Sequence, residues 1–277
     1  MKMEKYSVLM SVYIKEKPEF LEKSIDSMIN QTVKPDEIVI VKDGPLTSDL
    51  DLVIKFYNEK YPNIFKILAL EKNGGLGNAL NEGLKICKNN LVARMDSDDI
   101  SFQNRCELQL KRFEKKEDLA ILGGQIIEFS KTVTNTGKMR VVPCSNDEIT
   151  KFSHKRSPFN HPTVMYKKDI IMTFGGYPTV KRKEDLGLFV RLANSNLLCE
   201  NLNECLLYYR TNNDNLKRRK SFVNCKEYID IMHRFYKEGI INIFDMTYIV
   251  LGQLSLYCFP STIVKLLSEK ILRKSKH

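Results

Sequence analysis

The stretch Leu91-Val92-Ala93-Arg94-Met95-Asp96-Ser97-Asp98-Asp99-Ile100 joins an apolar, strand-like run to three carboxylates within four positions. Ser101 follows with the character of an N-cap for a helix beginning near Gln103. Carboxylates so placed stand at the carboxyl end of a strand, the edge of an open α/β sheet where ligands bind. Three acids this close repel one another unless a cation or hydrogen-bond donors neutralise them, and hard oxygen ligands suit Mg²⁺ or Mn²⁺. A solvated acidic turn capping a helix is the plainer alternative. The strand in front of it favours a metal site that grips a phosphate.

Upstream, the same alternation repeats. Tyr6 to Tyr13 is a near-continuous apolar run suited to a strand buried on both faces, and Pro18 opens a helix to about Gln31 with Leu21, Ile25, Met28 and Ile29 on one stripe. Glu37 to Lys42 is a β-branched strand ending at Asp43-Gly44-Pro45, again with a carboxylate at its carboxyl end. A helix from Ser48 to Tyr61 and a strand from Phe65 to Leu70 lead to Asn73-Gly74-Gly75-Leu76-Gly77, which opens a further helix. Four βα units in about a hundred residues predict an α/β fold, a doubly wound, mostly parallel sheet with right-handed crossovers and helices on both faces. The loop of Gly74, Gly75 and Gly77 could cradle a phosphate, although G-x-G-x-x-G spacing is absent.

At 277 residues, 43% hydrophobic and 28% charged, the composition is that of an ordinary globular protein. Met1 to Tyr6 leads into a strand without a signal-peptide apolar region, which predicts a cytoplasmic location. Seven cysteines, odd in number and without zinc-ligand spacing, read as free thiols. The net charge of +10 is uneven: residues 1–140 hold 22 Lys and Arg against 21 Asp and Glu, and residues 141–277 hold 22 against 13. A basic second half suits an acidic partner, whether nucleic acid, an anionic membrane surface or a phosphorylated substrate.

Beyond the acidic stretch, Leu119 to Phe129 reads as one or two strands, Ser130 to Arg140 as a polar hairpin or loop, and His161 to Tyr166 as strand-like. Glu184-Asp185 precedes an amphipathic segment from Leu186 to Asn194. Carboxylates favour the first turn of a helix by dipole attraction, and one held there is also placed to take a proton from a hydroxyl. Phe244 to Leu267 is apolar but interrupted by Gly252, Gln253, Ser255 and Pro260. It suits either a helical hairpin packed on the domain or a helix pair lying in a membrane interface, with Lys265, Lys270, Arg273, Lys274 and Lys276 behind it.

Taken in order, Ser7 to Tyr13, Asp43-Gly44, Asn73-Gly74 with Ala79-Leu80-Asn81, Ala93 to Asp99, His161-Pro162-Thr163, Gly175-Gly176-Tyr177 and Glu184-Asp185 resemble the inverting glycosyltransferases of family 2, over about Ser7 to Arg210. The subgroup they resemble builds capsular, exopolysaccharide or O-antigen repeat units. The resemblance implies a GT-A fold, with a catalytic domain over 1–215 (nucleotide-binding half 1–100, acceptor half 101–215); beyond it, residues 216–277 read from their own composition as a basic, helical segment that could associate with a membrane. The resemblance also implies a nucleotide-sugar donor, expected to be a UDP-sugar, and a glycan or polyprenyl-diphosphate-linked acceptor. Asp98 would be the direct ligand of Mn²⁺ or Mg²⁺ with Asp96 nearer the ribose, and Asp43 would accept from the base. Ser11, Val12 and Tyr13 would line the uracil pocket, Asn73, Gly74 and Asn78 would stand at the donor, and Asp185 would be the general base. The sequence departs from the family pattern at Lys42-Asp43-Gly44-Pro45, Gly77-Asn78, Gly187 and Phe189.

Two other functions were weighed. A sugar-1-phosphate nucleotidyltransferase expects a Gly-rich loop after the first strand, where this chain has Ser11-Val12-Tyr13-Ile14-Lys15-Glu16. A basic nucleic-acid-binding protein expects cations interleaved with aromatics. Lys217 to Phe222 fits that pattern weakly, and three carboxylates facing a nucleic acid would be repulsive. No nucleic-acid partner is expected.

Overall fold

The structure, a computed structural model, describes residues 4–130, 133, 138–180, 182–211, 220–259 and 273–274. Its first half is the expected alternation: β1 (Tyr6–Val12), α1 (Pro18–Ile29), β2 (Glu37–Lys42), α2 (Ser48–Lys60), β3 (Phe65–Ala69), α3 (Leu76–Ile86) and β4 (Leu91–Asp96). The strands β3-β2-β1-β4 are all parallel. Parity in β1 explains why both faces need helices. Tyr6, Val8, Met10 and Val12 point into a core with Leu21 and Ile25 of α1 and Leu50 of α2, whereas Leu9 points into an opposite core with Leu80 and Leu84 of α3. In β4, Ala93 and Met95 belong to the first core and Val92 to the second, so Arg94 and Asp96 project on the α3 side.

The second half completes the sheet. Ile100–Ser101 (β5) is followed by α4 (Arg105–Lys115), β6 (Leu119–Phe129), β7 (Lys138–Arg140), α5 (Asn146–Ser153), a 3₁₀ turn at His161–Thr163, β8 (Met165–Lys167) and α6 (Lys168–Thr173). Next come α7 (Glu184–Ala193) and β9 (Leu198–Arg210). Strand β8 pairs antiparallel with β4 on one side and with β6 on the other. Strand β9 runs parallel to β6 with register shifts, and β7 and then β10 (Arg273–Lys274) extend the edge antiparallel.

Two expectations change and a third is narrowed. Ser101 is no N-cap: Ile100 and Ser101 pair with Tyr208 and Leu207 of β9, so α4 starts at Arg105 behind Asn104. A strand partner more than a hundred residues away overrides the local capping signal. His161–Thr163 is a 3₁₀ turn rather than strand, since the backbone N–H of Thr163 bonds to the Asn160 carbonyl. Leu119–Phe129 is one strand. Of the segment read as a polar hairpin, residues 131–132 and 134–137 lie outside the described residues, as do Lys181, most of the cationic tail and the expected domain boundary near residue 215.

The last two helices, α8 (Phe222–Lys237) and α9 (Ile243–Cys258), form a hairpin. Ile231, Met232 and Phe235 of α8 and Met246 and Ile249 of α9 make a third core with Leu186 and Val190 of α7. Helix α7 is thus buried twice, because its Leu188, Phe189 and Leu192 face the sheet. The seven cysteines are free thiols, as expected.

Candidate active site

Strand parity brings the charged groups together at the carboxyl edge of the parallel strands. One carboxylate oxygen from each of Asp96, Asp98 and Asp99 lies within 4.8 Å of the others. Their surroundings divide them. Asp99 is fully buried, with one oxygen accepting from the backbone N–H of Arg210 at 2.7 Å. Asp96 and Asp98 are half-buried. Glu16, half-buried in the loop after β1, accepts from the Ser97 hydroxyl at 2.5 Å. Burial, followed by the charges of Asp96 and Glu16, pushes the Asp98 carboxyl up to about 7. Asp99 lies well above the ordinary carboxylate range, from burial and then from the Asp98 charge.

Two cations answer this cluster. Arg94, only 1% exposed, donates through Nη2 to Asp96, while its Nε and Nη1 are buried without hydrogen-bond partners. Burial opposes its charge, but Asp96, Tyr177 and Asp99 leave its pKa above the usual value. Arg210 closes β9 with its guanidinium 3.8 Å from the Phe20 ring centre and 4.5 Å from that of Phe129, and its Nε donates to the Asp98 carbonyl at 2.7 Å. Four carboxyl groups stand against two guanidinium groups, and the raised Asp98 and Asp99 carboxyls register a shortage of positive charge that a divalent cation would supply. An all-oxygen donor set with two half-buried carboxyl groups fits Mg²⁺ or Mn²⁺. Asp98 and Asp96 are the residues that would hold the ion, with the buried Asp99 beside them.

The nucleotide-side residues take distinct positions. Asp43 is 4% exposed, and its two oxygens accept from the N–H groups of Gly74 at 2.8 Å and Gly75 at 3.1 Å. Those N–H groups are therefore committed to a side chain, and the glycine loop is a turn locked by Asp43 rather than an open phosphate cradle. Asn73 donates to the Asp43 carbonyl at 3.2 Å. Gly44 is required beside it: φ is +84°, and a Cβ would meet the Asn73 backbone nitrogen at 2.6 Å. Asn78 packs its amide against Gly74. At the end of β1, Ser11 is half-buried beside Asp96 and the Tyr13 ring is 40% exposed. Val12 turns its side chain into the first core, so it sets the strand end rather than a pocket wall.

Two motifs prove to be one device. Asn81 of α3 donates to the Tyr177 carbonyl and accepts from the Tyr177 N–H, both at 2.8 Å, across 96 positions of chain. Gly176, at φ +71°, makes room for it, since a Cβ would lie 2.4 Å from the Asn81 oxygen. The Tyr177 hydroxyl meets His161 Nε2 at 3.0 Å. Burial, then the Arg94 charge, depresses the His161 pKa well below its usual value, so the imidazole is neutral.

The clamp delivers the chain to α7, whose first turn carries Glu184 and Asp185, both half-buried. Lys183 enters that helix with a left-handed backbone, φ 67°, and its ammonium lies 5.5 Å from the Tyr228 ring centre in α8. Burial, then the Asp185 charge, pushes Glu184 up to about 7, and Arg94 pulls it partly back. The folded protein therefore keeps a proton on Glu184 that the unfolded chain, titrating near 4.5, has already released. Stability should fall as pH rises from about 4.5 to about 7, by on the order of 1–3 kcal/mol, and stay level above. Urea unfolding of Glu184→Gln over that range should show a shallower decline than wild type; equal slopes would mean another group carries it.

Asp96, Asp98 and Asp99 thus cluster at the carboxyl edge of the sheet, with Asp96 paired to the buried Arg94. The model described as Glycosyl transferase family 2 matches residues 7–176. The chain belongs to this glycosyltransferase family. Within it, a UDP-Gal:alpha-D-GlcNAc-diphosphoundecaprenol beta-1,3-galactosyltransferase of Escherichia coli is 37% identical over 270 residues, 98% of this chain and 97% of its own length. The amylovoran biosynthesis glycosyltransferase AmsE of Erwinia amylovora is 37% identical over 228 residues, 82% of this chain and 84% of its own. The structure of S. aureus TarS 1–349 in complex with UDP-GlcNAc aligns with a TM-score of 0.65 at 19% identity, covering 96% of this chain and 76% of that one. The architecture is thus the GT-A glycosyltransferase fold, and the chain is a glycosyltransferase. Glu16, Arg94 and Arg210 are the members of this cluster that pattern reading missed. The Arg94-x-Asp96 spacing was the available signal for Arg94, since alternate residues of a strand share a face.

Proposed function

We propose that the protein transfers a hexosyl or N-acetylhexosaminyl group from a UDP-sugar, with inversion, to a hydroxyl of a polyprenyl-diphosphate-linked glycan in cell-surface polysaccharide synthesis. The observation that carries this reading is the pairing of an all-oxygen metal cluster with a separate carboxylate pair at the start of α7, on a chain 37% identical to a transferase whose name specifies a UDP-sugar and a diphosphoundecaprenol-linked sugar. Asp98 would be the direct ligand of Mn²⁺ or Mg²⁺, and Asp96, hydrogen-bonded by Arg94, would stand nearer the ribose. Tyr13 offers its exposed ring to the uracil, and Asp43 accepts from the base beside the turn it locks.

When bound, the cation stabilises charge on the departing diphosphate. Asp185 accepts the proton of the acceptor hydroxyl as that oxygen bonds to the anomeric carbon. The bond from that carbon to the diphosphate oxygen breaks, its electron pair leaves with UDP, and a single displacement inverts the centre.

Thermal denaturation with UDP-, GDP- and dTDP-sugars, with and without Mn²⁺, tests the donor site. At a hundred times Kd a ligand specific for the folded state adds about 2.7 kcal/mol, which for a chain of this size is roughly 5–10 °C in Tm. The rise should occur with UDP-sugars and Mn²⁺ together and disappear in EDTA or in Asp98→Asn. An equal rise in EDTA would remove the metal from the proposal. A rise with GDP-sugars alone would change the nucleotide.

A further inference from the structure

Helix α9 buries Asp245, Met246 and Ile249, half-buries Val250, Gln253 and Leu256, and leaves a broad apolar face outside. Phe244 is 82% exposed, Tyr248 and Leu251 each 60%, Leu254 50% and Tyr257 49%. The surface continues onto α8, where Phe222 is 62% exposed with its ring 6.1 Å from that of Tyr257. No charged residue occurs from Met246 to Phe259. A helix apolar all round is ordinarily buried on all sides or set in lipid, and a contiguous exposed apolar patch marks an interaction surface. At 16 residues α9 is too short to span a bilayer, and among the described residues no helix is long and apolar enough to cross one.

We infer that this face of α8 and α9 lies in the headgroup region of an anionic membrane. The rim of the patch decides among occupants. Lys155, half exposed, stands 5.3 Å from the Tyr248 ring centre and 3.8 Å from the Asp245 carboxylate, and Lys220 reaches the Phe259 carbonyl at 2.5 Å. A second copy docked face to face would bring four ammonium groups to one apolar seam. An anionic lipid surface takes the apolar face and both cations together, the arrangement of an interfacial helix with aromatic anchors. Most of the tail cations expected to dock lie outside the described residues, and the backbone of Arg273–Lys274 runs beside β7, so α9 and its rim carry the inference.

The hairpin also reaches the site. Tyr228 of α8 donates to the Lys155 carbonyl at 2.9 Å and carries Lys183 over its ring, next to the turn that presents Asp185. Docking would hold the acceptor side of the enzyme at the surface where a lipid-linked acceptor resides. That purpose rests on the proposed acceptor, whereas the docking itself does not.

Co-sedimentation of the full chain with phosphatidylglycerol-rich vesicles free of donor and acceptor tests it. Wild type should pellet at low salt and bind on the order of tenfold less tightly to pure phosphatidylcholine or at high salt. The variant Phe244→Glu/Tyr248→Glu/Leu251→Glu should stay in solution while keeping its Tm and its turnover on a short, water-soluble diphosphate-linked acceptor. Wild type that fails to pellet, or a variant that pellets equally, overturns the inference. So does a variant that melts many degrees lower, because the face is then covered by the chain itself, and so does a wild-type dimer that the variant converts to monomer. Loss of all turnover on the soluble acceptor by wild type, with vesicle binding intact, would instead strike the acceptor assignment.

Discussion

Asp185→Asn is expected to lower kcat by about 10²- to 10⁴-fold while leaving UDP affinity near that of wild type. The substitution keeps size but replaces a carboxylate oxygen with a donating NH2, so no basic oxygen is left to take the hydroxyl proton. Asp185 stands on α7, an element separate from the Asp96, Asp98 and Asp99 cluster at the end of β4, so donor binding should not register its loss. Glu184→Gln is the informative companion. Glu184 packs its side chain against Gly77 and feels the buried Arg94, a position suited to setting the charge around the base rather than to meeting the acceptor. Its effect on kcat should be the smaller of the two. Single-turnover rates with UDP binding measured in parallel separate the cases; a crippled Glu184→Gln beside a competent Asp185→Asn would move the base by one residue.

Arg94→Met should destabilise the fold by about 3–5 kcal/mol, the usual result of removing one partner of a buried ion pair. For a chain of this length that corresponds to a Tm lower by roughly 6–20 °C. The cost comes from what stays behind. Asp96 loses the donor at its oxygen, and Asp99, fully buried with an unpartnered oxygen, loses a nearby positive charge. Divalent cation should recover more stability in Arg94→Met than in wild type, because the ion replaces part of the missing charge. Melting curves with and without Mn²⁺ check both points. An unchanged Tm would mean that the carboxylates take up protons at negligible cost.

The fold was legible because its evidence is local. Each βα unit in the first hundred residues carries its own apolar period and its own turn, and parallel strands buried on both faces need no distant partner to be recognised. The acidic cluster was legible for the same reason, since Asp96, Asp98 and Asp99 are neighbours in sequence. The counter-charges were not. Arg210 lies 111 positions beyond Asp99, and only the pairing of β9 with β5 and β6 brings it back. Ser101 failed in the opposite direction, because a sound local cap signal lost to strand pairing. The loop of Gly74 and Gly75 looked like an anion site, yet the anion it holds is the protein's own Asp43. Asn81 and Gly176 carry a motif that reads as function and serves as carpentry, joining α3 to the segment that leads into α7.

Strand β8 sits between β4 and β6, so a segment from the second half of the chain fills the seam beside the first half. The two halves are therefore interlocked rather than juxtaposed. A ribosome that has finished the first hundred residues has released a sheet whose β4 edge is still bare, with backbone N–H and C=O groups that any passing strand could pair. That edge is capped only when residues 165–167 emerge, some seventy residues later. Shuffling the two halves between relatives at residue 100 would likewise cut through paired strands. Exchanges meant to alter acceptor choice belong in loops, such as the one leading into α7, that cross no β-ladder.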